Sequence, residues 1–205
     1  MIALENEIEN LADSLLYTYL YQDYKAAYCR IASLYAIDTI SNRTNLFIYD
    51  TEHENREEKL LETPEPLNSG TCIAQLPDGE LFCFGRSPAS GISLKICKNY
   101  RVQQLPSGTP CFHSSAIYFN RKVYCFGGEN NGSLALSLSL KFDLGVNICY
   151  LLTPMPRNDC KCHCILWNDD ILIAGFYSAN LLRYSTSSDS FSSVSYSFAE
   201  KKEKF

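Results

Sequence analysis

Cys111-Phe112-His113-Ser114-Ser115-Ala116-Ile117-Tyr118-Phe119-Asn120-Arg121-Lys122-Val123-Tyr124-Cys125-Phe126-Gly127-Gly128 is the stretch whose reading decides the fold. It holds an apolar run, a short polar break, a second apolar run and a pair of glycines. Asn120-Arg121-Lys122 supplies residues that tolerate the unusual backbone angles of a tight hairpin loop, so the stretch predicts two antiparallel strands. Val123-Tyr124-Cys125-Phe126 is apolar at every position. A strand reads that way when both of its faces are covered. The closing glycines allow backbones to approach where side chains would collide.

The same phrase occurs twice more without a gap. Shifted back by 42 residues it reads from Thr71 through Pro77-Asp78-Gly79 to Gly85, and shifted forward by 48 it reads from Lys161 through Asn168-Asp169-Asp170 to Gly175. A second pair of strands follows each hairpin. Leu94-Lys95-Ile96, Leu140-Lys141-Phe142-Asp143 and Leu182-Arg183-Tyr184-Ser185 occupy equivalent places, as does Phe47-Ile48-Tyr49-Asp50 upstream. Behind them come Val102–Pro106, Tyr150–Pro154 and Phe191–Val194. The spacing is 46 residues from Ile96 to Phe142 and 42 from Phe142 to Tyr184. Four short strands at that period describe a propeller blade.

The stretch His113–Gly128, with Phe142-Asp143 and Leu152-Thr153-Pro154-Met155-Pro156 behind it, resembles a kelch repeat. Gly85-Arg86 and Gly175-Phe176 keep one of the two family glycines, and the family's outer-strand Trp is missing from every unit. The fold class this implies is mainly β: an incomplete kelch-type β-propeller of four-stranded antiparallel blades with a short N-terminal helical segment. The propeller is expected over 44–198, with a half-blade lacking its two inner strands at 44–64 and whole blades at 65–106, 107–156 and 157–198. The resemblance implies a protein–protein interaction scaffold without catalysis or cofactor, and a His113 that hydrogen-bonds a neighbouring blade. The alternatives are a carbohydrate-binding or galactose-oxidase-like propeller enzyme, or a fragment of a larger kelch protein.

Because successive strands run antiparallel, the loops after the second and fourth strands of each blade open on one face. Loops at the rim of a rigid scaffold carry recognition. Arg86, Glu129, Asn130, Asn131, Arg157, Asn158 and Tyr177 are the polar and aromatic groups those loops supply, and they are the expected partner-binding residues. The last blade has a neighbour only behind it. Tyr184, Phe191, Tyr196 and Phe198 are therefore expected to form an apolar open edge through which the chain self-associates.

Residues 1–40 read as helical. Leu4, Ile8, Leu11 and Leu15 form one stripe, and Tyr17, Leu20, Tyr24, Ala27, Ile31 and Leu34 form a second of different phase, predicting a helical hairpin or a coiled coil. Glu52–Lys59 is a solvated charged loop, and 199–205 a charged tail.

Net charge is −5, with basic residues scattered, so no nucleic-acid footprint is expected. Leu11–Tyr35 is interrupted by Asp13, Asp23, Lys25 and Arg30 and is no membrane span. The opening Met1-Ile2-Ala3-Leu4-Glu5 is acidic where a secretory leader would be basic, so the 10 cysteines are expected to be reduced thiols in a cytoplasmic protein. Cys160-Lys161-Cys162-His163-Cys164 has ligand chemistry for zinc. Its position on a first strand, where Ser114 and Ala116 stand in the repeat before it, predicts packing thiols and no metal.

Overall fold

The computed structural model describes residues 33–40, 43–50, 55–63, 67, 70–86, 91–105, 113–130, 134–177 and 180–194. The chain divides into two compact units, Met1–Leu34 with Tyr49–Arg56 and Tyr35–Ile48 with Glu57–Phe205. The packing described below lies within the second. Among the described residues there are fifteen strands and no helix, and none of these residues belongs to a helix long and apolar enough to cross a membrane.

Strands β1 (Ser33–Ile40), β2 (Arg43–Asp50) and β3 (Asn55–Leu61) form a first, three-stranded sheet. The second sheet is β4 (Cys72–Gln75), β5 (Leu81–Arg86), β6 (Gly91–Ile96) and β7 (Val102–Leu105). The third is β8 (Ser115–Phe119), β9 (Lys122–Phe126), β10 (Ser139–Asp143) and β11 (Ile148–Leu151). The fourth is β12 (His163–Trp167), β13 (Asp170–Ala174), β14 (Leu181–Ser185) and β15 (Ser190–Val194). Sheets two to four are antiparallel meanders in chain order.

Three corrections concern the beginning of the chain, and one is that residues 55–59, expected in a solvated charged loop, belong to strand β3. Helix was expected through residue 40, yet Ser33–Ile40 is strand β1. Tyr35, Ile37, Thr39 and Ile40 are β-branched or aromatic, and such side chains suit a pleated surface better than a helix. The rest of the helical prediction, residues 1–32, and the tail 199–205 lie outside the described residues. The half-blade expected at 44–64 also gains β1 beside β2, so one inner strand stands where none was expected.

The hairpin turns follow the chemistry of their residues. Phe119 pairs with Lys122 and Trp167 with Asp170, which leaves the two-residue loops Asn120-Arg121 and Asn168-Asp169. Asn120, Arg121 and Asn168 have φ of 48°, 62° and 55°, the left-handed region that a tight primed turn requires. In the longer turn of the second sheet, Gly79 takes φ 82°.

Alternation along the second strand of each sheet builds the core. Phe82 and Phe84 pack with Val123, Cys125, Leu140 and Phe142 between the second and third sheets. Leu81 and Cys83, on the opposite face of β5, pack with Leu46, Leu61 and Leu67. On β9, Tyr124 and Phe126 turn instead toward Cys162, Ile171, Ile173, Leu182 and Tyr184 of the fourth-sheet region. Strands β5 and β9 are thus covered on both faces, which is the physical reason for their unbroken apolar sequence.

The first strands lie side by side, β8 touching both β4 and β12. Their entrances are stitched by backbone hydrogen bonds, His113 N–H to Gly70 O at 2.9 Å and Lys161 N–H to His113 O at 2.7 Å. His113 and Lys161 share a left-handed φ, 51° and 49°. Four-stranded meanders stacked face to face, with their first strands adjacent, are compatible with a β-propeller.

The outer surface of the fourth sheet differs from expectation. Tyr184 is buried and Phe191 half-buried, both against Phe126, with ring centroids at 5.1 and 6.0 Å. They belong to the inward face because Tyr184 shares it with Ile171 across the register. The outward face carries Ile165, Trp167, Leu172, Leu181 and Val194, with an Arg183–Asp170 ion pair at 2.5 Å. Tyr196 and Phe198 lie outside the described residues.

Candidate functional site

Strand β9 ends at Phe126, and the next two residues, Gly127 and Gly128, take φ of 67° and 113°. A Cβ on Gly127 would lie 2.6 Å from Cys162 Sγ and 2.7 Å from the Asp159 carbonyl oxygen, so only glycine fits. The chain then runs out and returns. Leu136 N–H bonds Gly128 O at 2.8 Å, Asp159 N–H bonds Leu136 O at 3.0 Å, and Gly128 N–H bonds Asp159 O at 2.9 Å. The loop after the third sheet's second strand is thereby fastened to the segment that enters the fourth sheet.

Asp159 is the centre of this joint. It is 2% exposed, and its Oδ1 accepts the N–H groups of Cys160 at 2.9 Å and Tyr177 at 3.0 Å. A Cβ on Gly175 would collide with the same carboxylate, which explains the single glycine kept at that end of β13. Three loops therefore meet at one buried acid. A buried carboxylate is tolerated when donors surround it.

Beside the joint runs a line of polar side chains. His113 Nδ1 lies 3.4 Å from Glu129 Oε2. The Cys160 thiol donates to the Glu129 carboxylate and, with His113, holds that carboxyl below its ordinary range. Burial, reinforced by Glu129, pushes the Cys160 thiol up to about 11. Cys160 beside Tyr177 in turn pushes that phenol up. A thiol so raised is a hydrogen-bond donor at neutral pH, not a nucleophile. Cys162 and Cys164 pack in the core between the third and fourth sheets, and burial raises both thiols. His163, at the start of β12, is exposed. Among the described residues no group of three or more His, Cys, Asp or Glu is placed to hold a metal ion.

The expected binding residues fall into different roles. Glu129 and Tyr177 meet at Cys160. Arg157 is half-buried, and its guanidinium donates to Asn180 O at 2.6 Å, tying two rim loops together. Asn130 shapes its own loop, with its side-chain oxygen accepting Leu134 N–H at 3.1 Å. Asn158 is exposed. Arg86 ends β5 opposite Gly91 in the register, and Asn131 lies outside the described residues.

Sequence reasoning missed three contributors, Phe176, Lys161 and Asp159. Phe176 and Tyr177 are 64% and 66% exposed and stand edge to face at 5.1 Å. Lys161 places its Nζ 5.0 Å from the Phe176 ring centroid. Asp159 was hidden because nothing local distinguishes an acid that anchors a loop from one that faces water. Phe176 was legible as an aromatic where the repeat before it has a second glycine.

The chain matches no protein-family model, and no curated protein matches it.

Proposed function

We propose that this chain is a protein–protein interaction scaffold built on kelch-type repeats, which takes its partner on the loop rim and needs neither catalysis nor cofactor. The rim carries the reading. Gly127, Asp159 and Gly175 fix three loop backbones, while Phe176, Tyr177, Lys161 and Asn158 project from them. Rigid aromatic groups beside a cation, held in advance of contact, are what a partner-binding surface requires. The paired glycines at 127 and 128 and the backbone link from His113 to the preceding repeat support the kelch reading. The eight described cysteines are free thiols, which supports a reducing compartment such as the cytoplasm.

Copies of the chain also associate through the outward face of the fourth sheet. Ile165, Trp167 and Leu172 repeat the places of Ile117, Phe119 and Tyr124, which the third sheet packs against the fourth.

Quantitative affinity capture with wild-type chain, a Phe176→Ala/Tyr177→Ala variant and a Glu58→Lys variant tests the rim. A partner retained by wild type and Glu58→Lys but lost by the double variant supports the reading. Partners that both variants lose, or that neither loses, overturn it.

A further inference from the structure

Away from the rim, on the side of the hairpin turns, the second and third sheets line an open cavity of about 300 Å³. We infer that this cavity is a binding site for a small zwitterion, an α-amino acid with an aliphatic side chain. The inference is independent of the rim and its partner.

A contact that spans the next groove has no equivalent here among the described residues. Between the third and fourth sheets, Asp189 reaches across to accept Thr153 N–H at 3.1 Å and is steadied by the Tyr184 hydroxyl at 2.8 Å. Strand registers make Asn147 the counterpart of Asp189 and Phe142 that of Tyr184. Phe142 has no hydroxyl and Asn147 is an uncharged amide where Asp189 is a carboxylate, so both side chains that make the bridge are missing. Asn147 lines the cavity, and its side chain makes no hydrogen bond with a described residue.

What remains is an apolar floor between walls of opposite charge. Leu76, Leu105 and Leu144 line the floor. On the second-sheet wall, Glu80 is paired with Lys95 at 2.5 Å, and Asp78, with one oxygen taken by Glu80 N–H at 3.2 Å, leaves a net negative charge. On the third-sheet wall Arg121 has its backbone fixed by the Tyr118 hydroxyl at 3.2 Å and by Leu144 N–H at 3.2 Å. Its guanidinium makes no hydrogen bond or ion pair among the described residues. A carboxylate facing Arg121 and Asn147, an ammonium facing Asp78 and a short aliphatic body on the leucines satisfy all three surfaces. The volume stands at the small end of ligand cavities, which fits an amino acid and not a peptide.

Calorimetric titration of the full chain with L-leucine, leucinamide and 4-methylpentanoate tests the assignment. L-leucine is expected to bind saturably, and the two analogues, each lacking one charge, roughly tenfold more weakly. Arg121→Ala, an exposed change that leaves the core intact, is expected to lose roughly tenfold for L-leucine. The combined Phe142→Tyr, Asn147→Asp variant puts a carboxylate and its steadying hydroxyl where the ligand carboxylate would sit, and should lose at least roughly tenfold for L-leucine while Arg121 and Asp78 are kept. Absence of saturable L-leucine binding up to roughly 10 mM overturns the inference. Equal binding of all three compounds overturns it too, as does wild-type affinity in Arg121→Ala or a sugar that binds where no amino acid does.

Discussion

At the scale of single residues, two glycines with similar backbone angles have unlike costs of replacement. Gly127 combines φ 67° with a Cβ position crowded by Cys162 and the Asp159 carbonyl, whereas Gly79 has φ 82° and nothing within 4 Å of an added Cβ. Gly127→Ala should therefore cost about 2–4 kcal/mol in urea unfolding, through strain and overpacking together. Gly79→Ala should cost only about 1 kcal/mol, from backbone strain alone. Equal losses would mean that the close approach at Gly127 is relieved without effort. Cys160 gives a second expectation. Its folded value of about 11 lies above the ordinary thiol value of about 9, so the folded state holds the proton more tightly. The stabilisation is complete below pH 9 and is lost as pH rises toward 11. Cys160→Ser keeps a donor for Glu129 but has nothing to titrate in that range, so its melting temperature should fall less steeply above pH 9. Cys164, pushed up to about 12, continues to weaken the fold in both proteins.

At the scale of elements, the β8–β9 hairpin shows what its turn chemistry leaves unoptimised. Asn120 suits its left-handed angle, but Arg121 at φ 62° carries a Cβ where glycine is preferred. Arg121→Gly should raise stability by about 0.5–1 kcal/mol, read as a shift in urea midpoint at unchanged slope, while removing the cation from the neighbouring cavity. The same hairpin explains why so much was legible in advance. Its period-two pattern, its turn residues and its glycines are all local, and the second, third and fourth sheets follow from them. β1 escaped because Leu34 extends a helical stripe while Tyr35–Ile40 belongs to a strand whose partner lies further along the chain. The inward turn of Tyr184 and Phe191 escaped for another reason. Alternation separates two faces of a strand, but only the sheet packed against it tells which face is inside. The candidate site was legible as a set of loops. Its buried organiser, Asp159, was not, because its partners are backbone N–H groups whose positions exist only after folding.

At the scale of the molecule, the outward face of the fourth sheet presents Trp167, 43% exposed, beside Ile165 and Leu172. Analytical ultracentrifugation across micromolar concentrations should show reversible self-association, and a hydrophobic dye should bind. Leu172→Lys places a charge on that face and should suppress both, while leaving far-ultraviolet dichroism unchanged. A dye-negative monomer in the wild type would refute the assignment. The series of sheets behind that face has a further consequence. The second and third sheets each turn one face to the sheet before and the other to the sheet after, and Gly70, His113 and Lys161 pass one hydrogen bond from repeat to repeat. That backbone link is the same at both joints. An in-frame duplication or deletion of one whole repeat in the gene would keep that backbone link at the new joint. Recombination between repeats can therefore lengthen or shorten the series, and the rim with it, one unit at a time.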